Sequence, residues 1–166
     1  MAYSIRPYKD VDAEDLAEVI HAAIEVVGAH KYSAEQVAAW AARHPGPERY
    51  RERVGSGDVI FVAAGPDDRP VAYALIELDK DGRAHLDHLY CHPDHTRRGL
   101  AVELLATAEE HARASGATLI YTEASELARA AFERAGYAVT HRRDFEIAHD
   151  GSPVAIHNYA MEKALD

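Results

Sequence analysis

Cysteine is nearly missing from this 166-residue chain, where Cys91 stands alone. A single cysteine excludes an intramolecular disulfide and any Cys-rich zinc site. Long apolar runs are missing as well. The longest clear one, residues 59–64, falls far short of the roughly 18 residues a membrane helix needs. Met1-Ala2-Tyr3-Ser4-Ile5-Arg6 has neither the basic nor the apolar region of a signal peptide, so a cytoplasmic location and no membrane partner are expected. Basic residues are in short supply, 18 Lys plus Arg against 28 acidic, a net charge of −10 with histidine neutral. That balance argues against nucleic acid and mildly favours a cationic small substrate. No Gly-x-Ser-x-Gly elbow occurs, which leaves a serine nucleophile unsupported. What is present, 48% hydrophobic and 28% charged residues, suits one globular domain over 1–166 and is too apolar for disorder.

The periodicity of apolar residues changes twice along the chain. Residues 5–7 read as a short strand stopped by Pro7. Leu16, Ile20, Ala23 and Val27 recur at helical spacing from Asp12, and Gly28 is placed to end that helix. Ser33 and Gln36 form a capping box for a second helix with Val37, Trp40 and Ala41 on its apolar face. His44-Pro45-Gly46-Pro47 breaks it, and a short polar helix follows to Val54. Residues 58–64, 70–78 and 83–91 are strand-like and joined by turn-rich links, which predicts an antiparallel meander. After Gly99 the helical period returns through Ala101, Leu104, Leu105, Ala108 and Ala112 until Gly116. A strand over 118–122, a helix over 126–135, a long strand over 137–148 and a last strand near 154–161 complete the order. The fold class is α/β, a mixed and mostly antiparallel sheet flanked by helices.

Chemistry concentrates in Leu89-Tyr90-Cys91-His92-Pro93-Asp94-His95-Thr96-Arg97-Arg98-Gly99-Leu100-Ala101. Here a strand runs into a turn with two arginines and a glycine, and a helix starts at once. The free N–H groups and positive dipole end of a helix start suit an anionic phosphate. Gly99 lets the backbone approach closely, and Ala101 avoids crowding it. A plain strand–turn–helix link with two solvated arginines is the alternative.

This segment resembles the acetyl-CoA signature of the GNAT superfamily of N-acetyltransferases, a strand end followed by Gln/Arg-x-x-Gly-x-Gly/Ala. The likeness covers nearly the whole chain. Ala128-Arg129 through Phe132-Glu133-Arg134-Ala135-Gly136-Tyr137 is similar to the superfamily's later Phe-Tyr-Glu-Lys-x-Gly-Phe motif. Tyr32-Ser33 with Gln36, Ala39-Trp40-Ala41 and the closing Asn158-Tyr159-Ala160-Met161-Glu162-Lys163 resemble one little-characterised bacterial branch. Two departures stand out: Thr96 replaces the usual Gln or Arg, and Phe132 fills the slot where many relatives keep a tyrosine that protonates the departing thiolate.

The resemblance implies acetyl transfer from acetyl-CoA, as co-substrate and without a metal, to an amine by direct attack in a ternary complex. It places the pyrophosphate on the amides around Arg97, Arg98, Gly99, Leu100, Ala101 and Val102, and the pantetheine along Leu89 and Cys91. Phe132 becomes a buried or cofactor-facing aromatic, with Tyr90, Tyr121 or Tyr159 as other proton donors. Tyr32, Gln36 and Trp40 fall in the helix region that shapes the acceptor side in relatives. The acceptor is a small-molecule amine or a protein amino group, and dimers, common in the family, leave room for a homodimer.

An amine with a pKa near 10.4 is almost fully protonated at pH 7, so a base or water relay is required. His85 and Asp87, two apart on a strand, share a face, which makes His85 the expected base, with Asp87 orienting it or relaying through water. Glu77 and Glu123 are further candidates. Two rival readings remain. One is an acetyl-CoA-binding module without catalysis. The other is a metal-dependent hydrolase built on His85, Asp87, His88, His92 and His95, although period two puts His88 on the opposite face and the last two in the phosphate turn. Cys91 as an acyl carrier lacks any local feature that lowers a thiol pKa.

Overall fold

A computed structural model describes residues 2–79 and 81–166. Seven strands form one sheet in the order β1-β2-β3-β4-β5-β7-β6. They are β1 (Ser4–Pro7), β2 (Val59–Ala64), β3 (Pro70–Leu78), β4 (Arg83–Cys91), β5 (Leu119–Ala124), β6 (Ala138–His149) and β7 (Ser152–Ala164). All neighbours run antiparallel except β4 and β5, which are parallel. The mixed, mostly antiparallel sheet expected from the sequence is the one observed.

Helices cover both faces, and β3 shows why. Ala72, Ala74 and Ile76 point into one core, shared with Leu100, Leu104, Leu105, Ala108 and Ala112 of α4 (Leu100–Ala114). Tyr73 and Leu75 point into a second core with α1 (Ala13–Ala22), α2 (Ala34–Ala42) and Tyr50 of α3 (Glu48–Gly55). A strand apolar on both faces is the mark of a central, fully covered strand. The short helix α5 (Arg129–Arg134) contributes Phe132 to the α4 side.

Several boundaries differ from the sequence reading. Gly28 does not stop the first helix in a left-handed conformation. The chain widens into a π-type turn over Ala23–Val27 and tightens again over Gly28–His30. Gly28 keeps right-handed angles, and a Cβ there would sit 3.3 Å from the Trp40 ring. Its lack of a side chain serves close packing against Trp40. The last strand is longer than expected because β7 pairs with β5 on one edge and β6 on the other.

Two irregularities shape the site. The β4–β5 ladder covers only Arg83↔Leu119, Ala84↔Ile120 and His85↔Tyr121. The Thr122 hydroxyl then donates to the Leu86 carbonyl at 2.7 Å, and from there β4 runs on to Cys91 without a ladder partner on that side. Opposite, β3 pairs Leu75 with His88 but Ile76 with Leu86, so Asp87 is the extra residue of a β-bulge.

Candidate active site

The bulge sets which side chains meet. Before it, Ala84 and Leu86 face the α4 core; after it, Leu89 and Cys91 do. His85, Asp87 and His88 therefore all face the α1–α3 side. The period-two reading, which put His88 opposite His85 and Asp87, is corrected by that one extra residue. Aspartate is a poor β-former, and its place in the middle of β4 is the available hint.

Two cavities adjoin at the splayed end of β4. The first, about 510 Å³, is mainly apolar and lined by Leu89, Cys91, Thr96, Ala101, Val102 and Phe132 among others. Its mouth lies at the turn before α4, where Arg97 and Gly99 both have positive φ, 61° and 77°. The first amide of this stretch bonded within the backbone is that of Glu103, to the Gly99 carbonyl at 3.1 Å. Among the described residues, the six amides of 97–102 have no acceptor. A Cβ on Gly99 would meet nothing within 4 Å, so the turn is open to solvent at that residue. Free amides at a dipole's positive end, in an open turn, form a cradle for an oxyanion such as a phosphate. Leu100 has its side chain buried in the α4 core and offers only its amide.

The second cavity, about 360 Å³, is polar and lined by Tyr32, Arg43, His44, Arg49, Arg53, Asp87, His88, Glu123, Arg143 and His157 among others. It shares Trp40, Leu89, Tyr90, Ser125, Ala128 and Phe132 with the first. Of the expected acceptor-side residues, Tyr32 and Trp40 line it. Gln36 does not: it completes the capping box with Ser33 and donates to the Ala155 carbonyl at 2.9 Å. The Tyr32 hydroxyl is likewise committed, accepting from the Glu126 amide and donating to the His157 carbonyl.

His85 lines neither cavity, and Asp87 is not its orienting partner. Its Nδ1 donates to Glu77 at 2.5 Å and its Nε2 to Glu123 at 2.8 Å, while Asp87 lies 3.9 Å away. Burial opposes a charge on this ring, but Glu123, Glu77 and Asp87 outweigh it and raise its pKa to about 9. At neutral pH it is an imidazolium with both protons engaged. His85, Asp87 and Glu123 do bring ligand-type atoms within 4.8 Å of one another. Arg53, however, donates to Asp87 at 2.8 Å and to Asp58 at 2.5 Å, so two cations already serve this cluster. His92 and His95 stand apart, His95 against the Tyr3 hydroxyl at 2.9 Å, so the wider histidine series does not converge.

His88, by contrast, is buried at the floor of the second cavity. A chain of hydroxyls fixes its tautomer. Tyr50 donates to the Leu16 carbonyl (3.3 Å), Tyr73 donates to Tyr50 (2.7 Å), and His88 Nδ1–H donates to Tyr73 (2.9 Å). In the reverse order an Nε2–H would find its nearest carboxylate, Asp87, only at 3.7 Å. The order that serves every donor leaves the Nε2 lone pair free. Burial holds the ring neutral, with the charges of Arg53 and Arg49 acting the same way and Asp87 against them. Tyr50, Tyr73, His44 and the cavity arginines carry no motif in the sequence, and only the fold assembles them. Cys91 is no thiolate: burial pushes its pKa up to about 11.

Residues 28–155 match the acetyltransferase (GNAT) domain family. A GCN5-related N-acetyltransferase structure from Rhodopseudomonas palustris is 31% identical over 99% of this chain and 97% of that one, with a TM-score of 0.84. The PaiA N-acetyltransferase of Thermoplasma acidophilum, solved with coenzyme A, has 22% identity, 99% coverage of both chains and a TM-score of 0.79. A phosphinothricin acetyltransferase of Sinorhizobium meliloti, solved with acetyl-CoA, has 16% identity, 99% and 89% coverage and a TM-score of 0.71. No protein of curated function matches the chain. The chain belongs to the GNAT acetyltransferase family, and its enzyme class is acyltransferase.

Proposed function

We propose that this protein moves an acetyl group from acetyl-CoA to the amine of a small acceptor by direct attack in a ternary complex. The observation that carries this is the meeting of an apolar cavity, with six free amides at the turn beside its mouth, and a polar cavity that holds a neutral histidine. The amides of 97–102 hold the pyrophosphate, and the free edge of β4 at Leu89 and Cys91 pairs with the pantetheine. Phe132, buried where both cavities meet, packs beside it. The acceptor enters from the second cavity. The ammonium sheds its first proton to solvent and attacks as the free amine; His88 Nε2 takes the second proton as the C–N bond forms, when the nitrogen is far more acidic than in the free amine, and Asp87 stands beside the resulting charge. His85 is a positioning residue that holds Glu123 at the cavity wall. Of the three tyrosines able to return a proton to the thiolate, Tyr90 lines both cavities and its hydroxyl stays protonated, raised chiefly by burial.

Initial rates with both substrates varied test the reading. Intersecting lines are expected, with a fall in kcat of about 100-fold or more in His88→Ala. Parallel lines would move the acetyl group onto the enzyme, and an undiminished kcat would remove His88 from the chemistry.

A further inference from the structure

The acceptor cavity inverts the charge of the molecule around it. The whole chain carries −10, yet four arginines and only two carboxylates line this cavity. Both carboxylates are committed: Asp87 accepts from Arg53, and Glu123 accepts from the His85 imidazolium. Arg53 is spent on Asp58 and Asp87. Three cations are left over. Arg43 at the end of α2 and Arg49 in the first turn of α3 have no side-chain partner among the described residues. Arg143 on β6 donates only to the neutral Asn158 amide, at 3.1 Å. They come from the end of α2, from α3 and from β6, and all line one cavity.

Resting on the acetyltransferase reading, we propose that the acceptor is a small amine that also carries an oxyanion, a carboxylate or phosphonate, held by Arg43, Arg49 and Arg143. Guanidinium groups match these oxyanions by paired, charge-assisted hydrogen bonds. The amine end then reaches inward to His88 at the junction with the first cavity. A polycationic amine would find no uncommitted carboxylate here and three unopposed positive charges. The cationic substrate suggested by net composition is thus the wrong sign for this cavity, because composition averages over a surface the acceptor never touches.

Occupancy by an anion also suits the chemistry. His44 is held neutral, with a pKa of about 4, first by burial and then by Arg43, and Arg49 acts on both His44 and His88. An oxyanion on those arginines offsets their field and makes His88 a better proton acceptor at the moment the acceptor is bound.

Trp40 is the only tryptophan and lines both cavities, so its fluorescence reports occupancy of each. The full chain, first titrated with coenzyme A, is then titrated with matched probes: aminocarboxylates, aminophosphonates of equal length, the corresponding amides, and the decarboxylated amines. At least about tenfold tighter binding of one or both oxyanion series over the amides is expected. The preferred series identifies the oxyanion. The preference should weaken in high salt and disappear in the double variant Arg49→Gln, Arg143→Gln, with partial recovery in Arg49→Lys, Arg143→Lys. Equal binding of acid and amide, tighter binding of the decarboxylated amine, no binding of any probe, or a preference that survives the double variant overturns the proposal. The coenzyme A titration separates this failure from that of the acetyltransferase reading, since a chain that takes up coenzyme A but ignores charge refutes only the acceptor class.

Discussion

The His85 cluster predicts a definite shape for stability against pH. A histidine whose folded pKa is raised stabilises the fold fully below its unfolded pKa and loses that contribution as pH climbs through the folded value. For His85 the two values are 6.5 and about 9, which corresponds to about 3.4 kcal/mol when fully expressed. The imidazole is 13% exposed and Glu77 is 41% exposed, so solvent screening brings the usable figure to roughly 2–3 kcal/mol. About three quarters of it is present at pH 7, less than half at pH 8, and almost none at pH 10. The perturbation is His85→Gln, which keeps hydrogen-bonding capacity and removes the titration. The assay is urea unfolding of wild type and variant in parallel from pH 6 to 10, followed by far-ultraviolet circular dichroism. The difference between the two stabilities should shrink by roughly 2–3 kcal/mol across that window, most steeply from pH 7 to 9. Parallel curves would refute the reasoning, since every other group titrates in both proteins.

Gly99→Asp is expected to weaken coenzyme A binding by roughly 100-fold or more, because it adds a carboxylate to the open turn that carries the six free amides. The strain of a non-glycine residue at φ 77° adds about 1 kcal/mol of destabilisation, so calorimetry with wild-type affinity in a folded variant would displace the cradle. Phe132→Tyr adds a hydroxyl to the aromatic where both cavities meet; turnover should change by less than about tenfold, or about 1.4 kcal/mol in barrier, since a thiolate with a pKa near 8.5 leaves without much help. A much larger acceleration would show that Tyr90 is not supplying a proton.

Element order and the mixed sheet were legible because apolar period and turn residues agree along most of the chain. The turn before α4 was legible because Arg-Arg-Gly between a strand and a helical run has few structural uses. The candidate base was not. Spacing two puts His85 and Asp87 on one face, which is true, but it cannot show that Glu77 and Glu123 reach His85 first. Nor can it show a bulge, which is a property of the β3–β4 register and not of either strand alone. The arginines were invisible for a similar reason. Arg43, Arg49 and Arg143 lie up to 100 positions apart, and nothing in their neighbours' identities marks a shared cavity. Gly28 reads as a helix stop in the sequence, whereas its use, the approach of Trp40, is a tertiary contact.

The extra residue in β4 works as a phase shifter. Upstream of Asp87, even-numbered side chains belong to the α4 core; downstream, odd-numbered ones do. One strand thereby addresses two cavities in succession, with Cys91 lining the first, His88 the second and Leu89 standing where they adjoin. A substitution at Cys91 or at His88 touches one cavity and leaves the lining of the other in place. A deletion of Asp87 could not be so local, because it would rotate every later side chain by half a turn, sending His88 into the α4 core and Leu89 onto the acceptor's floor. The length of this strand, more than the identity of any one residue in it, thus sets which side chains reach which cavity.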